Sequence, residues 1–274
     1  MLSLRILTAV VLLAPLVLAL FYLPSVWVAA YFGLFIAAGA WEWTGLASVR
    51  GRAARLGYIA VLLLVGTIVM ATERETTLSV FLIGTAWWLV ALIELIRRPA
   101  GQAGWFGGIA ARYLGGFLIL VPTWVATFYL HAVDPHSPRI LLFALVLVWV
   151  ADSTAYFTGH FFGRTQLAPA ISPGKTVEGV VGAVAGVTLV AWIGGTLVWR
   201  YRGVELMWWI GLAIVTALFS VLGDLLESKF KRIAGVKDSG PLLPGHGGVL
   251  DRIDALTAAL PVFALGWHWL FRPL

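Results

Sequence analysis

Long apolar runs, separated by short polar segments, constrain this chain more than any other feature of its sequence. Nine such runs are present, each near the roughly 20 residues that a helix needs to cross the hydrocarbon core of a bilayer. They lie at about residues 6–23, 26–46, 56–72, 78–96, 113–131, 140–162, 177–199, 206–227 and 254–271. Hydrophobic residues make up 61% of the 274 residues and charged residues only 12%, a balance that soluble domains do not carry. We therefore predict an all-α polytopic integral membrane protein with about nine transmembrane helices, forming a single domain over residues 1–274.

The distribution of Lys and Arg predicts the orientation of these spans. With nine spans, the side that holds the N-terminus carries 14 of the 19 Lys and Arg residues, and the other side carries five. Cytoplasmic loops are enriched in these residues. We therefore predict a cytoplasmic N-terminus, a C-terminus on the opposite side, and a cytoplasmic loop before the last span.

The highest density of charge lies in residues 220–254, between the eighth and ninth spans. Its ionisable side chains are Asp224, Glu227, Lys229, Lys231, Arg232, Lys237, Asp238, His246, Asp251, Arg252 and Asp254. Carboxylates are the ligands that Mg²⁺ takes together with substrate phosphates, and Lys and Arg bind phosphate. The Gly-rich run PGHGG lets backbone amides approach an anion closely. The segment therefore predicts a site for a nucleotide or pyrophosphate and its metal.

Spacing brings the acids of this segment onto two helix faces. Asp224 lies on one face of a helix with Ser220, Glu227, Ser228 and Lys231, because these positions recur with the helical period. Asp251 and Asp254 would share a face of the next helix, so Asp224 and Asp251 could meet near the membrane surface. Two structural alternatives remain. Asp251 is also suited to be an N-cap with Asp254 in the first turn, and the basic run is also suited to be a membrane anchor.

A second informative stretch covers residues 149–179. Asp152 lies in an apolar run, and a carboxylate there is not expected to face lipid. Ser172 and Pro173 predict a helix start, with Ser172 as N-cap, and Lys175 at that end would make an anion site. A capped helix with an anchoring Lys is the alternative. In the first half of the chain, Glu42 lies between two Trp residues in an apolar run and is expected to face protein or water.

Both stretches resemble the phosphatidate cytidylyltransferase family, also called CDP-diacylglycerol synthases. Residues 228–254, SKFKRIAGVKDSGPLLPGHGGVLDRID, fit the family signature at every specified position. The earlier stretch resembles the family patterns D-x-x-A-Y and S-P-x-K-T-x-E-G, and departs from the common residue at His160 and Val177. A long match of charged, Gly and His positions at fixed spacing is specific.

The resemblance implies a reaction, its cations and the residues of its site. CTP and phosphatidate would give CDP-diacylglycerol and pyrophosphate, with Mg²⁺ and a second cation such as K⁺. From the residues themselves, we expect Asp224 and Asp251 to hold Mg²⁺, supported by Asp254, because acids from two helices can converge there. The triphosphate or lipid phosphate would be neutralised by Lys229, Lys231, Arg232, Lys237 and Arg252. The remaining expected catalytic or substrate-binding residues are Asp152, Tyr156, Ser172, Lys175, Thr176, Ser228, Asp238, His246, Gly247 and Gly248.

These expectations divide the chain into two parts. Residues 1–131 would serve packing and possible homodimer contacts, and residues 140–274 would carry the catalytic helices and cytoplasmic loops. The resemblance implies a bacterial inner membrane, an active site that faces the cytoplasm, and no nucleic-acid partner. The alternatives are a cytidylyltransferase for a different lipid phosphate and, from another class of protein, an anion transporter. A structural role for His246 also stays open.

Overall fold

The computed structural model of the chain describes residues 14–98, 104–133, 137–242 and 247–271. Residues 14–22 form the described part of α1. The elements that follow are α2 (Ser25–Leu46), α3 (Arg52–Ala71), α4 (Arg74–Arg97), a 3₁₀ turn (Gly104–Gly107), α5 (Ile109–Ala132), α6 (Ser137–Phe162), β1 (Gln166–Ala168), β2 (Ser172–Thr176), α7 (Val177–Leu197), α8 (Val204–Ala234) and α9 (Leu250–Phe271).

The prediction of an all-α polytopic membrane protein is confirmed. Within the described residues, eight helices are long and apolar enough to cross a membrane, and they correspond to the second to ninth predicted spans. Most of the first predicted span, 6–23, lies outside the described residues, although its second half is helical where the description begins. The chain is therefore an integral membrane protein.

A small hairpin interrupts the helices where the sequence predicted a helix start. Ser172 is not an N-cap, and that prediction is wrong. It lies in β2, which pairs antiparallel with β1. The side chain of Thr176 instead caps α7 by accepting a hydrogen bond of 3.0 Å from the Gly179 amide. The residue before a proline avoids the helical region and favours an extended backbone, which explains why Ser172 begins a strand.

Helix α8 extends beyond the length that a membrane crossing requires. Its 31 residues carry the Ser228–Arg232 basic run on the helix itself. It ends at Gly235, whose φ of 72° is in the left-handed region. The Gly235 and Val236 amides bond back to the carbonyls of Arg232 and Lys231, which is the usual way to satisfy the last turn. The basic side chains are thus held on a rigid helix.

Close contact between α8 and α9 sets the position of the acids. A Cβ on Gly223 would lie 2.5 Å from the backbone oxygen of Asp254, so only glycine allows this approach. Helices α5 and α9 are the most buried of the spanning helices. The approach at Gly223 brings the neighbouring Asp224 to the start of α9.

Candidate functional site

A cavity of about 940 Å³ lies between α2, α6, the hairpin, α7, α8 and α9. Its charged and polar lining groups include Asp152, Tyr156, His160, Lys175, Thr176, Asp224, Asp251, Arg252 and Asp254. Its apolar lining groups include Leu16, Phe32, Phe35, Leu145, Trp149, Val180 and Leu256. The cavity therefore joins a dense set of charges to an apolar surface among the helices.

Asp224 contacts the hairpin through Lys175. The Asp224 Oδ2 atom lies 2.6 Å from Lys175 Nζ, and Asp224 Oδ1 accepts a longer hydrogen bond of 3.3 Å from the Ser228 hydroxyl. Asp224 is one turn from Ser228 on α8, whereas Lys175 is at the end of β2. The hairpin thus places the ammonium group of Lys175 against the face of α8 that carries Asp224.

Asp251 is held by a different lysine and by the backbone of the preceding loop. Its Oδ1 lies 2.6 Å from Lys231 Nζ, and the same Nζ lies 2.5 Å from Glu227 Oε2. Its Oδ2 accepts hydrogen bonds from the amides of Gly248 at 2.8 Å and Ser239 at 3.1 Å. Asp251 therefore orders the loop as well as facing the cavity.

Further carboxylates repel one another around this point. Asp254 interacts electrostatically with Asp224, Glu227 and Asp152, and Asp152 interacts with Asp224 and with Lys175. Asp254 Oδ1 accepts a hydrogen bond of 2.7 Å from the Ala255 amide. Among the described residues, four carboxylic acids line the cavity with one lysine and one arginine, so oxygen ligands for a cation are present beside groups that bind phosphate.

The donor set is suited to Mg²⁺ in the presence of a substrate. In the part of the chain that the structure describes, no three His, Asp or Glu side chains are arranged to hold a metal ion by themselves. Mg²⁺ is commonly bound by one or two carboxylates, water and substrate phosphates. Asp224 and Asp251 both face the cavity, so the residues present fit that arrangement.

Several expected site residues lie outside the cavity lining. Lys229 is completely buried, with its Nζ 3.4 Å from Glu94 Oε1 and 3.0 Å from the Arg98 carbonyl oxygen. Arg232 Nε donates to the Ile171 carbonyl oxygen at 3.2 Å and so holds the hairpin turn. Lys237 and Asp238 are exposed. His246 lies outside the described residues.

None of the serines and glycines expected in the site is part of the described cavity lining. These residues are Ser172, Ser228, Gly247 and Gly248. Gly247 has a φ of 84°, which only glycine adopts without strain. The Gly248 amide donates to Asp251 and is thus occupied within the protein.

Sequence reasoning overlooked the contacts made by Glu42. This residue of α2 is 3% exposed, and it accepts hydrogen bonds from Ser239, from Val249 and from Leu250, the first residue of α9. The available signal was a carboxylate in the middle of an apolar run, which requires polar partners. Its partners, about 200 positions away along the chain, could not be identified from that signal.

Comparisons with known proteins show the family of the chain. Residues 3–270 match the model of the Cytidylyltransferase family. The chain is 40% identical over 266 residues to the phosphatidate cytidylyltransferase of Pseudomonas aeruginosa, with 96% of each chain covered. It is 38% identical to that of Haemophilus influenzae, covering 96% of this chain and 98% of the relative. The phosphatidate cytidylyltransferase of Brucella abortus is 36% identical over 82% of this chain and 78% of its own.

Proposed function

The chain belongs to the cytidylyltransferase family, and we propose that it transfers CMP from CTP to phosphatidate, giving CDP-diacylglycerol and pyrophosphate. The observation that carries this proposal is the cavity that joins Asp152, Lys175, Asp224 and Asp251 to an apolar surface. A lipid phosphate needs both environments. The charged end suits the phosphates, and the apolar end suits the acyl chains.

The chemistry requires positioning and charge neutralisation more than proton transfer. A phosphate oxygen of phosphatidate, already anionic, attacks the α-phosphorus of CTP. The bond from the α-phosphorus to the oxygen that bridges to the β-phosphorus breaks, and pyrophosphate leaves with that oxygen. No strong general base is required, and the transition state is stabilised by groups that offset the phosphate charge.

Asp224 and Asp251 are the residues that would hold Mg²⁺, with Asp254 in support. When bound, the ion would neutralise the phosphates of CTP and the leaving pyrophosphate. A second cation such as K⁺ would find further carboxyl oxygens in Asp152 and Asp254, which also line the cavity. Both cations are part of the proposal.

The basic groups that face the cavity would bind the substrate phosphates. The side chains of Lys175 and Asp224 are 23% and 33% exposed, and a partly exposed ion pair contributes little stability, so it can exchange partners. A substrate phosphate would replace Asp224 as the partner of Lys175. Arg252 also lines the cavity and, as an Arg, is suited to bidentate phosphate binding.

The protein would act in the bacterial inner membrane with its active site toward the cytoplasm. Two arguments support this side. The basic residues lie in an excess on the side of the N-terminus and of the loop before α9, as in cytoplasmic loops. CTP is also a cytoplasmic solute. The homodimer stays a prediction.

A transfer assay with the purified protein tests the proposed function. CTP labelled at the α-phosphate is incubated with phosphatidate and Mg²⁺ in detergent micelles. We expect label in CDP-diacylglycerol and an equal amount of pyrophosphate. Competition by other lipid phosphates distinguishes the alternative acceptor. Uptake of an anionic solute into sealed vesicles without nucleotide turnover would instead favour a transporter.

A further inference from the structure

The carboxylate of Glu42 lies at the N-terminus of α9, although Glu42 itself belongs to α2. Its Oε2 accepts the Leu250 amide at 2.7 Å and the Ser239 hydroxyl at 3.0 Å. Its Oε1 accepts the Val249 amide at 3.1 Å. The first amides of a helix have no partner within the helix, and an anion there also interacts favourably with the helix dipole. Glu42 thus caps the start of α9 from another helix.

The loop backbone is shaped to accept this carboxylate. A Cβ on Gly240 would lie 2.5 Å from Glu42 Oε1, and a Cβ on Gly248 would lie 2.5 Å from Glu42 Oε2. Any larger residue at either position would push the carboxylate or the loop aside. Gly248, a member of the Gly-rich run, is therefore required for packing against Glu42.

Ser239 connects this cap to the cavity. Its hydroxyl donates to Glu42 and its amide donates to Asp251. Ser239 is thus held between a carboxylate of α2 and a carboxylate of α9. Asp251 and Arg252 line the cavity, whereas Glu42 does not. Glu42 therefore bonds to the two residues that precede Asp251, but it does not line the cavity itself.

We propose that Glu42 is a positioning residue, which fixes the start of α9 so that Asp251 and Arg252 meet the CTP phosphates and the metal. The kinetic part of this inference, an effect on turnover, rests on the proposed function. Its structural part, the capping of α9 from α2, is independent of the reaction. A displacement of about 1 Å at a reacting centre can lower the rate about 100-fold, so a cap remote from the cavity can control turnover.

Glu42→Gln is the central variant, because the amide has nearly the same shape but loses the charge and one acceptor oxygen. Two measurements are made on the full-length protein in detergent. Hydrogen exchange of peptides covering residues 239–250 is followed without nucleotide, and kcat and the Mg²⁺ concentration for half-maximal rate are measured with CTP and phosphatidate. We expect faster exchange at the start of α9, a kcat about 10- to 100-fold lower, and a higher Mg²⁺ requirement.

Trp124→Phe is the matched control. Its indole donates to the Ala29 carbonyl oxygen of α2 at 2.7 Å, so the variant weakens another buried attachment of α2 without touching Glu42. It should lower the melting temperature but leave the exchange of residues 239–250 and the Mg²⁺ requirement unchanged. A merely structural role of Glu42 would give the same pattern in both variants and would overturn the proposal.

Two further results would also overturn it: unchanged exchange at the start of α9 in Glu42→Gln, or faster exchange with unchanged kcat and Mg²⁺ requirement. If Glu42→Gln does not accumulate, Ser239→Ala removes one donor to the same carboxylate and is expected to give the same pattern more weakly. Wild-type behaviour of Ser239→Ala would then contradict the proposal. If the wild-type protein transfers no CMP, the proposed function fails, while the exchange measurement still decides whether Glu42 caps α9.

Discussion

Lys175 Nζ and Asp224 Oδ2 lie 2.6 Å apart, and this ion pair joins the end of the hairpin to α8. The same carboxylate is the one assigned to the metal. A cation bound at Asp224 and the ammonium group of Lys175 would therefore compete for one site. A substrate phosphate that attracts Lys175 would release Asp224 for the metal, so the two would bind cooperatively.

Replacing Lys175 tests this competition. In Lys175→Met, Asp224 has no ammonium partner and the triphosphate has lost a cation. We expect the kcat/KM for CTP to fall about tenfold or more, because an ionic hydrogen bond to phosphate contributes roughly 1.5–3 kcal/mol. The Mg²⁺ concentration for half-maximal rate should decrease. Steady-state kinetics at varied CTP and Mg²⁺ measure both quantities.

Arg202→Met is the control for loss of a positive charge, because Arg202 lies between α7 and α8, away from the cavity lining. It should leave both quantities unchanged. An unaltered Mg²⁺ requirement in Lys175→Met would contradict the competition.

Asp224→Asn and Asp251→Asn should both abolish most of the transfer, about 100-fold or more, if two carboxylates hold the metal. Their stabilities should differ. Asp251 is 9% exposed and pairs with Lys231, and breaking a buried pair costs roughly 3–5 kcal/mol. Asp224 is 33% exposed, where a pair contributes roughly 0–1 kcal/mol. Thermal unfolding in detergent should therefore show a large loss only for Asp251→Asn, and near-normal turnover in either variant would remove the metal assignment.

Removal of divalent cations should stop the reaction reversibly. Treatment with EDTA followed by gel filtration is expected to give a protein without transfer activity, since the carboxylates alone repel the triphosphate. Addition of Mg²⁺ should restore the rate of the untreated protein. Full activity in the presence of excess EDTA would exclude the proposed role of the ion.

Gly248→Ala should be damaging despite its small size. The added Cβ would lie 2.0 Å from Ser239 Oγ and 2.5 Å from Glu42 Oε2, so the loop has to move and Asp251 moves with it. We expect a loss of about tenfold or more in kcat. Gly211→Ala is the control, because a Cβ at Gly211 would meet no atom within 4 Å. Equal activity of the two variants would show that the loop tolerates displacement.

The orientation can be tested without background labelling, because the chain contains no cysteine. Arg50→Cys, between α2 and α3, should be protected from an impermeant maleimide in intact cells. Arg202→Cys, between α7 and α8, should react. Both sites should react in permeabilised cells. The reverse pattern would place the loop before α9 outside the cytoplasm.

The sequence predicted the helices and part of the site for different physical reasons. An apolar run of sufficient length has one stable solution in a bilayer, so the spans from residue 25 to 271 agree with the structure. The acids Asp224 and Asp251 were predicted to converge because each has a helical position next to the same loop. Both line one cavity, although each is bound to a different lysine.

The contacts between distant segments could not be read from periodicity. Lys229 and Arg232 were indistinguishable from Lys231 as basic residues of one run. Their partners decide their positions, since Lys229 is buried beside Glu94 of α4 and Arg232 holds the hairpin turn at Ile171. The hairpin itself is too short to produce a strand pattern, and Ser172 matched a helix cap equally well.

The attachment of Glu42 to α9 also has a consequence for biosynthesis. Ribosomes deliver α2 before α9, so Glu42 waits in the membrane without its amide partners until about 200 further residues have been made. We expect the nascent chain to have no transfer activity until α9 has been inserted. A protein truncated before α9 would keep Asp152, Lys175 and Asp224 of the cavity but lose Asp251, Arg252 and Asp254, and it is expected to be inactive.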